Sequence, residues 1–142
     1  NITYYAAFKD TVSALLPRGY IIPSGLDTIV EILRRQGVRV TTLEKNQRFS
    51  GESFFVEKWN KSPRKFEGHN MVSIEGTFNA REIVARKGDF IVDMAQPLAN
   101  LIFYMLEPQS DDGLLSWNFF DLILRGSNVP FSPVDYPVFK YF

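Results

Sequence analysis

The segment from Gly88 to Asp121, GDFIVDMAQPLANLIFYMLEPQSDDGLLSWNFFD, constrains the fold more than any other stretch of the chain. Phe90-Ile91-Val92 is a short aromatic and β-branched run, bounded by Gly88 and Met94-Ala95, and reads as a strand. Pro97 stands where a helix begins, because its missing N–H would have no intrahelical partner there. Leu98, Leu101, Ile102, Met105 and Leu106 recur at the spacing of one buried helical face, and Pro108 stops the run. Asp111-Asp112-Gly113 turns the chain, and either Asp suits the cap of a following helix. Leu115, Trp117, Phe119, Phe120, Ile123 and Leu124 are apolar on all sides, as in a helix wedged between layers. Trp117 is therefore expected to be buried.

Upstream, Ile2 to Phe8 reads as an edge or entering strand. Thr11 to Leu16 is ambiguous, and Pro17-Arg18-Gly19 breaks it. Tyr20-Ile21-Ile22 is a compact strand closed by Pro23. Ser24, with Asp27 three positions on, forms a near capping box for a helix whose buried face is Leu26, Ile29, Val30 and Leu33. Arg34, Arg35 and Gln36 end it, with Gly37 in the left-handed C′ position. Val38 to Leu43 alternates as a further strand. Strand, helix and strand in this order predict a βαβ unit with parallel strands.

Lys45 to Glu52 is polar and loop-like, and Phe54 to Trp59 reads as a strand. Ser62 to His69 (SPRKFEGH) reads as a loop. Met71 to Phe78 alternates, with Val72, Ile74 and Phe78 on one face. Asn79-Ala80 is taken as a tight connection and Arg81 to Arg86 as the returning strand of a hairpin. After Asp121, Arg125-Gly126-Ser127-Asn128 reads as a loop. The tail from Val129 to Phe142 carries Pro130, Pro133 and Pro137, which predicts an extended run across the surface. The expected fold class is α+β: one domain over residues 1–142, with a mixed sheet of about five to seven strands and two or three helices packed on it.

A chain of 142 residues buries enough surface to fold without staples. It has no cysteine, which removes disulfides, thiolate zinc sites and cysteine nucleophiles. Basic and acidic residues balance at 16 each, with no basic stripe, so nucleic acid is not an expected partner. No apolar run approaches the ~18 residues of a membrane span. The chain begins Asn1-Ile2-Thr3, without an initiator methionine or a signal-peptide pattern, and reads as part of a longer or processed protein.

Candidate chemistry is sparse. His69 is the one histidine, and Glu67 lies two positions away on the same loop, a poor start for a zinc site that needs several converging ligands. No serine sits in a nucleophile elbow, and no glycine-rich phosphate loop occurs. Asp111 and Asp112 are better read as capping residues than as an acid–base pair. Glu107 is a negative charge at a helix C-terminus, an unfavourable place that calls for a fixed donor, such as an Arg. Asn60-Lys61-Ser62 matches a glycosylation acceptor but is followed by Pro63. Most aromatics fall at core-facing periods; those of the tail have no partner in the pattern. The candidate interaction surface is therefore Arg64, Phe66, Glu67 and His69 of the loop with Tyr136, Phe139 and Tyr141 of the tail. No catalytic or metal residue is assigned.

The runs LPRGYIIPSG, SPRKFEGH and AQPLANLIFYMLEPQSDDGLLSWNFFD, in that order over about Leu16 to Asp121, resemble the C-terminal accessory region that follows the catalytic domain in some bacterial zinc carboxypeptidases of the carboxypeptidase A-like superfamily. Tyr136-Pro137 is similar to the close of that region. The resemblance implies a non-catalytic domain whose partner is an upstream peptidase domain of the same chain, with peptide or glycan as further partners. Zinc would be held in that upstream domain by a His-x-x-Glu pair and a distant His, none of which this chain has, so no cofactor is expected here. Relatives of this kind are commonly exported, which implies an extracytoplasmic parent. The alternative from a different class is an independent glycan- or peptide-binding module using the SPRKFEGH loop or the aromatic tail.

Overall fold

A computed structural model describes residues 3–4, 14–125 and 131–142. Its strands are β1 (Thr3–Tyr4), β2 (Ala14–Leu15), β3 (Gly19–Ile22), β4 (Thr41–Thr42), β5 (Gln47–Phe66), β6 (His69–Ala85), β7 (Phe90–Asp93), β8 (Val134–Asp135) and β9 (Phe139–Tyr141). The helices are α1 (Asp27–Arg35), α2 (Ala99–Leu106) and the short α3 (Asp121–Arg125). Of the expected Ile2–Phe8 strand only Thr3–Tyr4 is described, pairing with Ala14–Leu15. Residues 11–13 and 126–130, which held the ambiguous segment and the start of the expected tail, lie outside the described residues.

The main sheet has seven strands in the order β4-β7-β3-β9-β5-β6, with β8 also on β5. The class is α+β, dominated by the sheet, and every pairing among the described residues is antiparallel. The expectation of a mixed sheet with a βαβ unit is corrected here. β3 and β4 do not pair with each other; β7 lies between them and is antiparallel to both. The strand–helix–strand pattern was legible, but nothing local in it announces that a strand from 50 residues downstream takes the middle place.

Local chemistry accounts for several elements. Ile29, Val30 and Leu33 form the buried stripe of α1. Its C-terminus closes on Gly37 at φ 95°. The Gly37 N–H donates to Arg34 O at 3.0 Å and the Val38 N–H to Leu33 O at 3.1 Å, the paired bonds of a Schellman turn. Leu26, not Ser24, is the N-cap; the Ser24 N–H instead donates to Asp89 Oδ1 at 2.9 Å. α2 is shorter than the Pro97–Glu107 run, and the helix expected over Leu114–Leu124 is a series of turns ending in α3.

The largest departure is the hairpin. The Lys45–Glu52 and SPRKFEGH loops are, for the most part, strand, because β5 and β6 run as one long ribbon. Asn79-Ala80 is not a turn; it lies within β6. Two irregularities in β5 absorb the residues that break strand patterning. Glu57 is an extra residue between Val56 and Lys58, and Ser62-Pro63-Arg64 bulges between Lys61 and Lys65. A bulge admits a proline that has no N–H for the ladder.

One face of the sheet carries Tyr20, Ile22, Phe54, Val56, Val72, Ile74 and Val92 against α1, α2 and the 114–124 segment. The other gathers Ile21, Leu43, Ala85, Phe139 and Tyr141. The tail is not a surface strap: β9 is inserted between β3 and β5. Tyr20 lies opposite Lys140, and Lys140 opposite Glu52. The Glu107 carboxylate lies over this row. It accepts from the Tyr20 hydroxyl at 2.6 Å and from Lys140 Nζ at 3.3 Å. Lys140 is 2% exposed and Glu107 5%. The ammonium also lies 4.2 Å from the Phe78 ring centroid. Nearby, Tyr136 donates to Leu106 O at 2.9 Å. The donors that Glu107 calls for are thus a lysine and a tyrosine from strands far away in sequence.

Burial pushes the Glu107 carboxyl above its ordinary range, and Lys140 and the Tyr20 hydroxyl pull it back only in part. Removing one partner of a buried pair leaves an uncompensated charge, so Glu107→Gln and Lys140→Met should each destabilise the fold by ~3–5 kcal/mol in urea melts. The double variant should cost at least about 1 kcal/mol less than the sum; additivity would mean that the two groups are not coupled. Lys140→Met leaves Glu107 with the tyrosine alone, so its carboxyl titrates higher still. A carboxyl raised in the folded state adds stability below its unfolded pKa and loses it as pH rises through the folded value. The deficit of Lys140→Met relative to the parent should therefore be smaller at about pH 5 than at about pH 8.

Candidate functional site

The far end of the β5–β6 ribbon brings together the most unusual side-chain arrangement among the described residues. The ribbon closes with Phe66 opposite His69. Only Glu67 and Gly68 lie between them, at φ 50° and 89°. Two consecutive left-handed residues make a type I′ turn, whose twist matches the strands it joins. Gly68 takes that conformation freely; Glu67 does so at a cost.

The turn delivers His69 onto the segment after α2. Its ring lies against Trp117, centroids 4.2 Å apart and tilted by 34°. Phe66 meets the same indole edge-on at 6.1 Å. Trp117 Nε1 donates to Asp112 Oδ1. Asn118, at φ 76°, faces the other side of the histidine. Its Nδ2 donates to Asn70 O at 3.2 Å and Asp121 Oδ2 at 3.0 Å. With both amide hydrogens so used, Oδ1 is the atom that accepts from His69 Nδ1. Nδ1 therefore carries a proton. Nε2 is buried without a partner among the described residues.

Beside this tip lies a cleft of about 570 Å³ between the bulged part of β5, β6 and the turn after α2. Its polar lining includes Lys61, Glu75, Gln109, Ser110 and Asp111, with Met71 and Pro108 among the apolar walls. Ser110 Oγ, buried at its edge, has no partner among the described residues. Glu75 is engaged with Lys58 at 3.9 Å and Asn60 at 3.2 Å. Such a cleft offers a cation, carboxylates and an amide to a polar ligand; among the described residues no three His, Cys, Asp or Glu side chains converge on one point.

The residues expected as one interaction surface separate into two groups. Arg64, Phe66 and Glu67 are exposed at the tip and His69 is half-buried there. Tyr136, Phe139 and Tyr141 are core, at 3%, 5% and 8% exposure, because the tail that carries them supplies strands to the sheet. Trp117, expected in the core, is half-buried and faces Phe66 and His69. Asp112 accepts from its indole rather than capping a helix. Asn118 had no sequence signal beyond its tolerance of positive φ, since the partners that place it at the tip, Asn70 and His69, lie 48 and 49 residues away.

No protein-family model, no curated protein and no solved structure matches this chain.

Trp117→Ala should therefore cost about 1–3 kcal/mol, below the penalty for emptying a core site. In hydrogen exchange the loss of protection should fall on residues 62–72 and spare β3 and β9. Gly68→Ala should cost about 1–2 kcal/mol through its left-handed backbone, with the same local pattern. Uniform loss of protection in either variant would show that the tip is not an independent unit.

Proposed function

We propose that this chain is a non-catalytic accessory module of a zinc carboxypeptidase, and that it docks on its peptidase domain or on peptide through the tip of the β5–β6 hairpin. The observation that supports this reading is the tip itself. Phe66 is 52% exposed at the end of a two-stranded arm, Arg64 and Glu67 flank it, and Trp117 backs it. An exposed aromatic on a fixed support, ringed by charges, has the composition of an interface anchor. The carboxypeptidase assignment rests on the sequence resemblance of Leu16 to Asp121. The parent is placed outside the cytoplasm on the same ground, and zinc belongs to its upstream domain.

A second reading is an independent glycan- or peptide-binding module. It is favoured by the Trp117–Asp112 pair beside Phe66, since an aromatic face next to a carboxylate serves a sugar's C–H face and hydroxyls alike.

The coding sequence upstream of Asn1 discriminates the two at once. A His-x-x-Glu with a later His supports the accessory reading; a reading frame that starts at Asn1 removes it. The purified 142-residue chain should release no C-terminal amino acids from peptides. Calorimetry should detect no submicromolar zinc site, because one imidazole without thiols gives such a site too few ligands. Metal-dependent peptide release, or tight zinc binding lost in His69→Ala, would overturn the proposal. Phe66→Ala should weaken association with the separately produced upstream domain at least tenfold, without lowering stability.

A further inference from the structure

We propose that the outer edge of β6, from Gly76 to Val84, pairs antiparallel with the same edge of a second copy of this chain, about a two-fold axis at Ala80. The inference concerns a surface distinct from the hairpin tip and stands independently of what the tip binds.

In an antiparallel strand, alternate residues turn both N–H and C=O to the same side. On β6 the side away from β5 is marked by three bonds. The Val72 N–H donates to Ser116 O, Ile74 O accepts from Gln109 Nε2 and Asn70 O from Asn118 Nδ2, each at 3.2 Å. The even-numbered residues therefore face outward, and the 109–118 segment covers the row as far as Ile74. The row continues through Gly76, Phe78, Ala80, Glu82 and Val84. Their outward groups have no partner among the described residues, where β6 pairs with β5 alone. A free edge of this length is a template for another strand.

The length of the free edge admits a second copy of itself, and its charges restrict the register. Two copies pair outward residue to outward residue, so paired numbers sum to an even value. An axis at Arg81 sets Arg81 against itself, and an axis at Glu82 sets two carboxylates together; like charges directly opposite are destabilising. An axis at Asn79 sets Val84 against Ile74, whose carbonyl Gln109 already holds. An axis at Ala80 meets none of these obstacles. It sets Val84 opposite Gly76, Glu82 opposite Phe78 and Ala80 opposite itself, and so joins all five free residues of each copy. Five such pairs make about ten hydrogen bonds. Arg81 then faces Asn79, and Ile83 faces Thr77. Arg81 and Glu82 are already engaged within the chain, by Asp135 at 3.3 Å and Arg48 at 3.4 Å. Val84, at 54% exposure the most exposed large hydrophobic side chain among the described residues, gains cover over Gly76 and beside Phe78 of the second copy.

Sedimentation of the purified chain should show a concentration-dependent dimer. The chain lacks cysteine, so a single introduced thiol reports register. Ala80→Cys should oxidise to a disulfide dimer, because hydrogen-bonded antiparallel partners lie about 5.5 Å apart between Cα atoms, within disulfide reach. Glu82→Cys should not, since its two copies would be offset by four residues, about 13 Å. Ala80→Pro removes the central outward N–H at a position where an edge strand admits proline; it should be monomeric, and its thermal melt should match that of the parent at dilutions where the parent is also monomeric. A parent chain that stays monomeric up to millimolar concentration, a Glu82→Cys disulfide forming as fast as that of Ala80→Cys, or a dimer that survives Ala80→Pro would each overturn the pairing.

Discussion

The buried contact of Glu107 with Lys140 and Tyr20 holds together parts of the molecule that the sheet alone does not connect. Tyr20 and Lys140 stand side by side on β3 and β9, and Glu107 descends on them from the end of α2. A carboxylate in this position is costly to bury, and only a full set of partners makes it tolerable. Each Glu107 oxygen has a donor, and Tyr136 ties the carbonyl of the preceding Leu106. The position of Glu107 fixes where the chain leaves α2, and so where the 109–118 segment lies along β6. Through that segment the buried ion pair decides whether Trp117 and Asn118 reach His69.

What was legible in the sequence follows from how local each signal is. The Tyr20-Ile21-Ile22 strand, the buried face of α1, the Gly37 terminus and the Phe90 strand each rest on a few adjacent residues, and each appears in the structure. Glu107 stood out because its charge opposes the helix dipole. The misreadings share one cause. Pro63, the polar Lys45–Glu52 run and Asn79-Ala80 carry loop composition, yet a long ribbon paired along its whole length overrides weak local preference. Its bulges then remove the residues that do not fit. The tail was read outward because three prolines exclude a helix; that left strand as readily as coil, and only tertiary pairing decided between them.

The candidate site was half legible. SPRKFEGH stood out as a loop that could serve an interaction surface; it is mostly strand, and Arg64, Phe66 and Glu67 are exposed on it. The other half comes from pairings across nearly 50 residues, His69 with Asn118 and Trp117, which no spacing rule encodes. The result is a histidine with one nitrogen fixed by an amide and the other buried without a partner among the described residues. That geometry fixes the orientation of the ring against Trp117.

The place of β9 in the strand order has a consequence for the way the molecule is assembled. β4, β7 and β3 form one half of the main sheet, β5, β6 and β8 the other, and among the described residues β9 is the sole strand that hydrogen-bonds to both. It also carries Lys140. Until residues 139–141 are threaded between β3 and β5, each half presents an open strand edge and Glu107 lacks its cation. During synthesis the two halves cannot be joined until residues 139–141 have emerged. Topology of this kind slows folding and lengthens exposure to aggregation. A nascent chain that has not yet released residues 139–141 therefore carries two unpaired strand edges, the feature that templates association between chains.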